Sequence, residues 1–201
     1  GPTEAHSTEG FNKQAIEIST KLPAQPARAD GDVDGALAGA AKVVEAAYAY
    51  PFLSHAPLEP MNMVCEFKDG KLRARGGSQI PGGGRTLVAT TLQLRPEDVT
   101  LELTRMGGSF GRRLSNDYLV EAAYIAKQIN GTVKLQWTRE DDLQHDLYRP
   151  AGYHFLKAGL DASGKVVGWK NHFVTMGSEN RPGASANMNA GEFPARFVPN
   201  Y

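Results

Sequence analysis

The sequence has one cysteine, no excess of charge of either sign and no long apolar run, and each shortage excludes a class of protein. The single Cys65 excludes an internal disulfide framework and any site that needs several cysteine ligands, such as an iron–sulfur centre. Lysine plus arginine and aspartate plus glutamate number 22 each, so no overall field favours nucleic acid or an anionic membrane. No apolar stretch approaches the roughly 20 residues that cross a bilayer. The 201 residues instead suit a globular chain with its own apolar core.

The first part of the chain passes from an aperiodic start to a clear helix and strand. Residues 1–30 mix proline, alanine and charge without a period, which predicts an extended lead-in or a covering arm. Small helix formers over 32–40 predict a helix, and the alternating run over 42–50 predicts a strand. Three prolines within 51–60 exclude a helix or a central strand, so we expect an irregular, fixed loop there.

Beyond residue 60 the pattern alternates between strands and helices. Two alternating runs meet at Asp69-Gly70, which is typical of a β-hairpin. The later elements are predicted as a helix over 85–94, a strand over 98–105, a helix over 114–129, a strand over 132–137, a helical turn over 138–143 and a hairpin over 153–176. Ser115 is the expected cap of the longest of these helices, and Asn130-Gly131 is its expected end. The pattern predicts an α+β fold with mixed β-sheets and three to four helices.

The last segment, residues 177–201, is rich in glycine, asparagine and proline and has no period. A structureless stretch of this length is unusual inside a compact domain. We therefore expect an irregular segment that leads into a downstream domain missing from this sequence.

The stretch RMGGSFGRR, residues 105–113, places three glycines between a predicted strand and a predicted helix. Such glycines allow an anionic or bulky cofactor to touch backbone amides, and the start of a helix adds a favourable potential. The spacing does not match the phosphate loop, because no lysine follows the last glycine. It also differs from the G-x-G-x-x-G pattern, because Gly107 and Gly108 are adjacent. A tight turn that requires positive φ remains the alternative to a cofactor loop.

Two further positions near glycine runs are candidate binding residues. Gln79 lies between the end of a predicted strand and a second glycine run, 82–84, where a carboxamide can both donate and accept a hydrogen bond. A surface glutamine without a role is the alternative. Arg112 and Arg113 could clamp a phosphate, although two arginines at the start of a surface helix are more often solvated.

A metal site formed by side chains is disfavoured. His55 and Glu59 are four residues apart, but Pro57 between them prevents the pair from sharing a helical face. The remaining histidines have no ligand spacing, and no nucleophile motif or distinctive carboxylate pair is present. We predict no metal ligand and no catalytic residue from these patterns.

Three fragments in a fixed order carry a family resemblance. They are HAPLEPMN, then GGSQIPGGGR after the hairpin, then MGGSFGRR before the helix that leads to VKLQWTREDD. Together they resemble the molybdenum-binding large subunit of the xanthine dehydrogenase and aldehyde oxidase family, above all the beta subunit of the isoquinoline 1-oxidoreductase type. The resemblance runs from about residue 31 to the end. It implies that residues 31–176 are the first portion of a molybdopterin-binding domain and that the chain is a fragment of a large subunit.

The resemblance implies an oxidoreductase that uses molybdopterin, commonly as the cytosine dinucleotide, to hydroxylate N-heterocycles or oxidise aldehydes with water as the oxygen source. The implied partners are a small [2Fe-2S] iron–sulfur subunit, a small aromatic heterocycle or aldehyde as substrate, and an electron acceptor downstream, without nucleic acid. The family's catalytic base matches no residue of this chain, so the fragment alone is expected to be inactive and to lack the cofactor. The alternatives are a non-catalytic binding or scaffolding module that uses the glycine loop only as a turn, and an independent nucleotide-binding protein. The compartment stays open between cytoplasm and periplasm.

The resemblance also implies roles for particular residues. In the family, the glutamine of S-Q-x-P, here Gln79, hydrogen-bonds a ligand of the molybdenum centre. The backbone of G-G-x-F-G lies against the metal ligands and the pterin. The implied cofactor-binding residues are Gln79, Gly107, Gly108, Ser109, Phe110, Gly111 and Arg112. Ser109 replaces the usual middle glycine, where its side chain either offers a hydroxyl or crowds the metal ligand.

Overall fold

A computed structural model describes residues 4, 6–21, 26–178, 181–182, 191 and 195–201. In these ranges the α-helices are α1 Thr8–Ser19, α2 Val33–Ala38, α3 Pro81–Leu92, α4 Asp117–Ile129 and α5 Arg139–Gln144. The strands are β1 Lys42–Tyr50, β2 Asn62–Lys68, β3 Lys71–Gly76, β4 Val99–Leu103, β5 Thr132–Gln136, β6 Gly152–Leu160, β7 Val166–Thr175, β8 Gly177–Ser178 and β9 Arg181–Pro182. The predicted α+β class with mixed sheets is confirmed. No helix within the described part of the chain is long and apolar enough to cross a membrane.

The chain divides into two compact units. The terminal unit contains residues 1–53 and 149–201, and the central unit contains residues 54–148. This division follows the contacts between residues, whereas the boundaries inferred from the sequence, at 31 and 176, concern a domain of a longer protein and stay a prediction. About half of the predicted irregular segment 177–201 lies outside the described residues, and the described part includes β8 and β9.

The terminal unit is built on a three-stranded antiparallel sheet in the order β1-β6-β7. β6 and β7 form the predicted long hairpin, and α1 and α2 both contact β7. Its small core consists of Ala15, Ala151, Tyr153 and Val174. Residues 8–19 form α1, so the extended form of the predicted lead-in is wrong there. The alternative of a covering arm stays a prediction. The Ser7 hydroxyl caps this helix by accepting a hydrogen bond from the Gly10 N–H at 3.0 Å.

The central unit combines a four-stranded sheet in the order β4-β3-β2-β5 with α3 and α4. β3 and β4 are parallel and the other pairs are antiparallel, which makes the sheet mixed. Asp69 and Gly70 both have positive φ at the turn between β2 and β3, as the hairpin prediction requires. α4 buries an alanine-rich face against β2, which allows the helix to approach the sheet closely. The core includes Met61, Met63, Cys65, Leu72, Val88, Tyr118, Leu119, Ala122, Ala123 and Ala126.

Two helix starts in the central unit differ from the predictions. α3 begins at Pro81 and includes the glycines at 82–84, because proline suits the first helical position. A Cβ added at Gly84 would lie 3.0–3.1 Å from side-chain atoms of Asn116 and Leu119, so this glycine permits close packing against α4. The prediction that Ser115 caps α4 is wrong. The N-cap is Asn116, which has a φ of 56° and makes no capping hydrogen bond through its side chain.

Candidate functional site

Three loops meet in the central unit, and we call them the three-loop cluster: residues 54–60, 77–80 and 104–116. Backbone hydrogen bonds join them. The Glu59 N–H donates to the Gly107 carbonyl at 3.2 Å, and the Gln79 N–H donates to the Arg113 carbonyl at 3.3 Å. The fold therefore brings together all three fragments on which the family resemblance depends.

The Glu59 carboxylate joins the first loop to the third. One oxygen, Oε2, accepts a hydrogen bond from the Gly107 N–H at 2.8 Å. The other, Oε1, accepts from Asn62 Nδ2 at 2.7 Å and from Arg113 Nη2 at 2.9 Å. Partial burial acts to raise the pKa of Glu59, but the hydrogen bonds from Asn62 and Gly107 and the charge of Arg113 together lower it. Glu59 is therefore ionised at neutral pH.

Arg113 is buried and connects the three loops through hydrogen bonds. Its residue is 0% exposed, and beyond its ion pair with Glu59 it donates to the Gly77 carbonyl at 3.5 Å and the Pro60 carbonyl at 3.4 Å. Its guanidinium carbon lies 5.4 Å from the centre of the Tyr118 ring. The Tyr118 hydroxyl also donates to the Gly77 carbonyl, at 2.5 Å. Of the two alternatives for this arginine, the solvated one is wrong.

Arg112 is also buried, at 1% exposure. Its guanidinium donates to both carboxylate oxygens of Asp117 at 2.7 Å, a paired geometry that a lysine cannot reproduce. Its Nε lies 3.0 Å from Asp146 Oδ1, and its guanidinium carbon lies 5.2 Å from the Trp137 ring centre. The charged group of Arg112 is thus directed at acidic residues of this chain, and a solvated Arg112 is excluded.

His55 of the three-loop cluster forms a second polar pair with Asp146, which follows α5. His55 Nδ1 lies 3.0 Å from Asp146 Oδ1, and Asp146 also accepts hydrogen bonds from the Ser54 hydroxyl at 2.7 Å and from the His55 N–H. Burial acts to raise the pKa of Asp146, but the hydrogen bonds from Ser54 and His55 lower it. No local sequence pattern marks Asp146, so its part in the site is visible only in the folded chain. The disfavoured pairing of His55 with Glu59 as metal ligands is not formed, since each binds a different partner.

Backbone strain is concentrated in the same cluster. Six described residues other than glycine have positive φ, and three of them, Asp69, Gln93 and Asn130, lie at a hairpin turn or a helix end, where that conformation is common. The other three are Ala56 at 38°, Phe110 at 53° and Asn116 at 56°, and all belong to the three-loop cluster. Such strain persists only where surrounding contacts impose it, and it is concentrated at functional sites.

The predicted glycines have specific steric roles. A Cβ at Gly107 would lie 2.8 Å from Glu59 Cβ, so this position must stay bare for the first and third loops to meet. Gly108 and Gly111 have φ values of 94° and 106°, which L-residues rarely adopt. Ser109 is 9% exposed, and its hydroxyl donates to the Met106 sulfur at 2.8 Å. Its side chain therefore points into the protein.

Two other predicted cofactor-binding residues are exposed to solvent. Phe110 is 63% exposed and the Gln79 side chain is also exposed. Among the residues that the structure describes, none accepts a hydrogen bond from the N–H groups of Gly108, Ser109 or Gly111. The first turn of α3, next to Gln79, has no acidic residue and no side-chain cap.

This arrangement fits an organic, anionic cofactor. Unpaired amides and a helix N-terminus both favour negative charge, and a nearby carboxamide can donate and accept hydrogen bonds. Within the described ranges, no group of three or more histidine, cysteine, aspartate or glutamate residues is arranged to hold a metal ion.

The sequence of residues 18–193 matches the family described as the molybdopterin cofactor-binding domain. This chain belongs to that family. It is 35% identical over 139 residues to the membrane-bound aldehyde dehydrogenase (pyrroloquinoline-quinone) of Gluconacetobacter polyoxogenes, covering 69% of this chain and 18% of that protein. It is 41% identical over 97 residues to isoquinoline 1-oxidoreductase subunit beta of Brevundimonas diminuta, covering 48% and 12%. The predicted family resemblance is confirmed.

Structural similarity agrees with the family at the level of the fold. Quinoline 2-oxidoreductase from Pseudomonas putida 86 superposes with a TM-score of 0.64 and 17% identity, covering 72% of this chain and 19% of that protein. The chain spans less than a fifth of the length of these relatives and of this structure.

Proposed function

We propose that this chain forms part of the cofactor site of a molybdenum hydroxylase large subunit. The complete protein would hydroxylate N-heterocycles or oxidise aldehydes with water as the oxygen source. The observation that carries the proposal is the meeting of Gln79 with a glycine loop whose amides at Gly108, Ser109 and Gly111 have no acceptor among the described residues. Relatives named for aldehyde and isoquinoline oxidation support the substrate classes.

The proposed cofactor is molybdopterin cytosine dinucleotide. When bound, it supplies the two-electron oxidation of the substrate carbon. Gln79 would hydrogen-bond a ligand of the metal centre through its carboxamide, and the amides of residues 108–111 would face the anionic cofactor. The exposed Phe110 ring would exclude water from that face. Gly107 would allow the loop to pack on Glu59.

Arg112 has a different proposed role from that implied by the resemblance. Its guanidinium is already paired with Asp117 and Asp146, so it would support the glycine loop from the protein side. The backbone at Arg112 also closes the loop, because its N–H donates to the Ser109 carbonyl at 2.8 Å. Its contribution to cofactor binding would therefore be indirect.

The proposed assembly includes parts outside this sequence. A small [2Fe-2S] subunit would receive electrons from the molybdenum centre and pass them to a downstream acceptor. Residues 31–176 would be the first portion of the cofactor-binding domain, and 177–201 would lead towards the remainder. The chain alone would be inactive, because it offers no residue that matches the family's catalytic base.

The decisive experiment compares Gln79→Ala with Gln128→Ala in the complete protein, purified with its iron–sulfur partner. Gln128 is an exposed glutamine on α4 in the same unit and serves as the matched control. Loss of a residue that orients a metal ligand lowers metal affinity or activity about 10- to 100-fold. We expect that loss for Gln79→Ala and wild-type molybdenum content and rate for Gln128→Ala.

Analysis of the wild-type protein tests the class of function itself. Bound molybdenum, pterin and cytidine nucleotide are expected. Because one relative is named for pyrroloquinoline quinone, the same preparation should be analysed for that quinone. A protein without molybdenum and pterin would contradict the proposal and favour the non-catalytic module. Nucleotide binding by the isolated chain would instead favour the independent nucleotide-binding protein.

A further inference from the structure

His55 has no role in the function proposed above, although it lies inside the three-loop cluster. Its side chain is 9% exposed and its Nδ1 is held 3.0 Å from the buried carboxylate of Asp146. Ala56, the next residue, has a φ of 38° and precedes the buried Pro57. A residue before proline normally adopts extended backbone. The loop thus maintains an unfavourable conformation at the point where His55 meets Asp146.

Asp146 determines which nitrogen of His55 is available. The Asp146 side chain is 0% exposed; it accepts hydrogen bonds from Ser54 and His55 and forms an ion pair with Arg112. A carboxylate with two donors and a guanidinium around it remains ionised and acts only as an acceptor. Nδ1 must therefore carry the hydrogen that faces Asp146. In the neutral imidazole, Nε2 then has a lone pair and can accept a hydrogen bond.

His55 Nε2 lies beside the glycine loop. It is 3.3 Å from the position that a Cβ on Gly111 would occupy, and the φ of 106° at Gly111 disfavours any side chain there. No residue that the structure describes donates a hydrogen bond to Nε2. An oriented, unpaired acceptor thus adjoins the backbone that contains the unpaired amides of Gly108 and Gly111.

We propose that His55 Nε2, oriented by Asp146 beside Gly111, accepts a hydrogen bond from an N–H or O–H group of the bound molybdopterin cofactor. This inference rests on the proposed function. It adds an acceptor to a site whose other described groups are mainly donors. A pterin carries both hydrogen-bond donors and acceptors. A protein site made of donors alone would leave the N–H groups of the pterin unpaired. His55 is a binding residue in this proposal, and Asp146 is its positioning residue.

The test uses two substitutions that separate the nitrogens of His55. In His55→Asn, the side-chain amide can still donate to Asp146 but does not reach the Nε2 position. In His55→Gln, the longer amide can place its oxygen near that position. His145→Asn is the control, because His145 is an exposed histidine in the same unit. Each variant is made in the complete protein with its partner. Molybdenum and pterin release over time and the thermal unfolding midpoint of the cofactor-free protein are measured.

Because His55→Asn loses one hydrogen bond to the cofactor, we expect this variant to release molybdenum and pterin about three- to tenfold faster than wild type. We expect His55→Gln to restore most of the cofactor retention, His145→Asn to match wild type, and the unfolding midpoint of His55→Asn to stay near that of wild type. Wild-type retention in His55→Asn would overturn the proposal. Equally fast cofactor release from both His55 variants, together with a lowered thermal unfolding midpoint in both, would also overturn the proposal, because His55 would then act only in folding.

Two other results separate this inference from the function on which it rests. A raised KM for substrate without faster cofactor release would place the Nε2 contact at the substrate and overturn the inference alone. Absence of molybdenum and pterin from the wild-type protein would overturn the proposed function, and with it the role of His55.

Discussion

Glu59 and Gly107 bind each other through two hydrogen bonds. The Gly107 N–H donates to Glu59 Oε2 at 2.8 Å, and the Glu59 N–H donates to the Gly107 carbonyl at 3.2 Å. Because the Glu59 carboxylate also binds the buried Arg113, one side chain connects the start of the glycine loop to its end. The loop conformation is therefore fixed by residues of the protein before any cofactor binds.

Replacing Glu59 with glutamine should destabilise the chain. The substitution leaves the guanidinium of Arg113, which is 0% exposed, without its opposite charge. Loss of one partner of a fully buried ion pair costs about 3–5 kcal/mol. The Glu59 side chain is 35% exposed, so we expect a smaller loss in the free energy of unfolding, about 1–3 kcal/mol. Urea denaturation measures it. The exposed Glu66→Gln should change stability by under about 0.5 kcal/mol, and an equal loss in both variants would contradict the prediction.

The same carboxylate predicts a dependence of stability on pH. The pKa of Glu59 in the folded chain is lower than its ordinary value, so its stabilising effect is complete above that ordinary value. The effect is lost as the pH falls through the lower pKa of the folded state. The difference in unfolding free energy between wild type and Glu59→Gln should therefore shrink as the pH falls below the ordinary pKa of a glutamate. A difference that stays constant as the pH falls below that value would exclude the predicted contribution of the Glu59 charge.

Local sequence signals predicted much of the fold. The Asp69-Gly70 pair indicated the turn between β2 and β3, and the periodic alanines of α4 indicated its buried face, because both depend on residues close in sequence. α1 was missed because it has few apolar residues and only Ala15 of the helix is buried. The start of α3 was misplaced because three glycines disfavour a helix in general, although here one of them, Gly84, permits close packing against α4.

The charged part of the site depends on contacts between distant residues. Arg113 is 54 residues from Glu59, and His55 is 91 residues from Asp146. No spacing rule relates residues so far apart, so sequence analysis could place the glycines and Gln79 but not the buried partners. Two adjacent arginines are typical of a solvated helix start. Only the folded chain brings carboxylates next to them, and these carboxylates allow both arginines to be buried.

Ser109 departs from the family's glycine without blocking the loop. Its hydroxyl is directed towards the sulfur of Met106, so Ser109→Gly removes an internal contact and adds freedom to the unfolded backbone. We expect the free energy of unfolding to fall by about 0.5–1 kcal/mol. Cofactor retention in the complete protein should remain at the wild-type level. Substantially slower cofactor release from Ser109→Gly would show instead that the serine crowds the cofactor.

Cys65 should be unreactive in the folded chain. Its residue is 0% exposed on β2, and burial raises the pKa of the thiol to about 12. The thiolate, which is the reactive form, is therefore scarce at neutral pH. Iodoacetamide should leave the native chain unlabelled and add one label after denaturation, as mass spectrometry would detect. Rapid labelling of the native chain would contradict the buried position of Cys65.

Arg112→Lys should be far more damaging than a conservative substitution suggests. Arg112 donates to both oxygens of Asp117 and lies against Asp146, whose side chain is 0% exposed. A lysine ammonium cannot form the planar paired contact and would leave part of this buried charge uncompensated. We expect the free energy of unfolding to fall by about 2–4 kcal/mol in urea denaturation.

The matched control for Arg112→Lys is Arg73→Lys. Arg73 pairs with Glu102 on the sheet, but their side chains are 63% and 38% exposed, so this exchange should change stability by at most about 0.5 kcal/mol. In the complete protein, Arg112→Lys should also accelerate cofactor release, because the glycine loop would lose its buried support. If the two variants were equally stable, Arg112 would not be the buried support of the loop, and its role in the proposed site would have to be withdrawn.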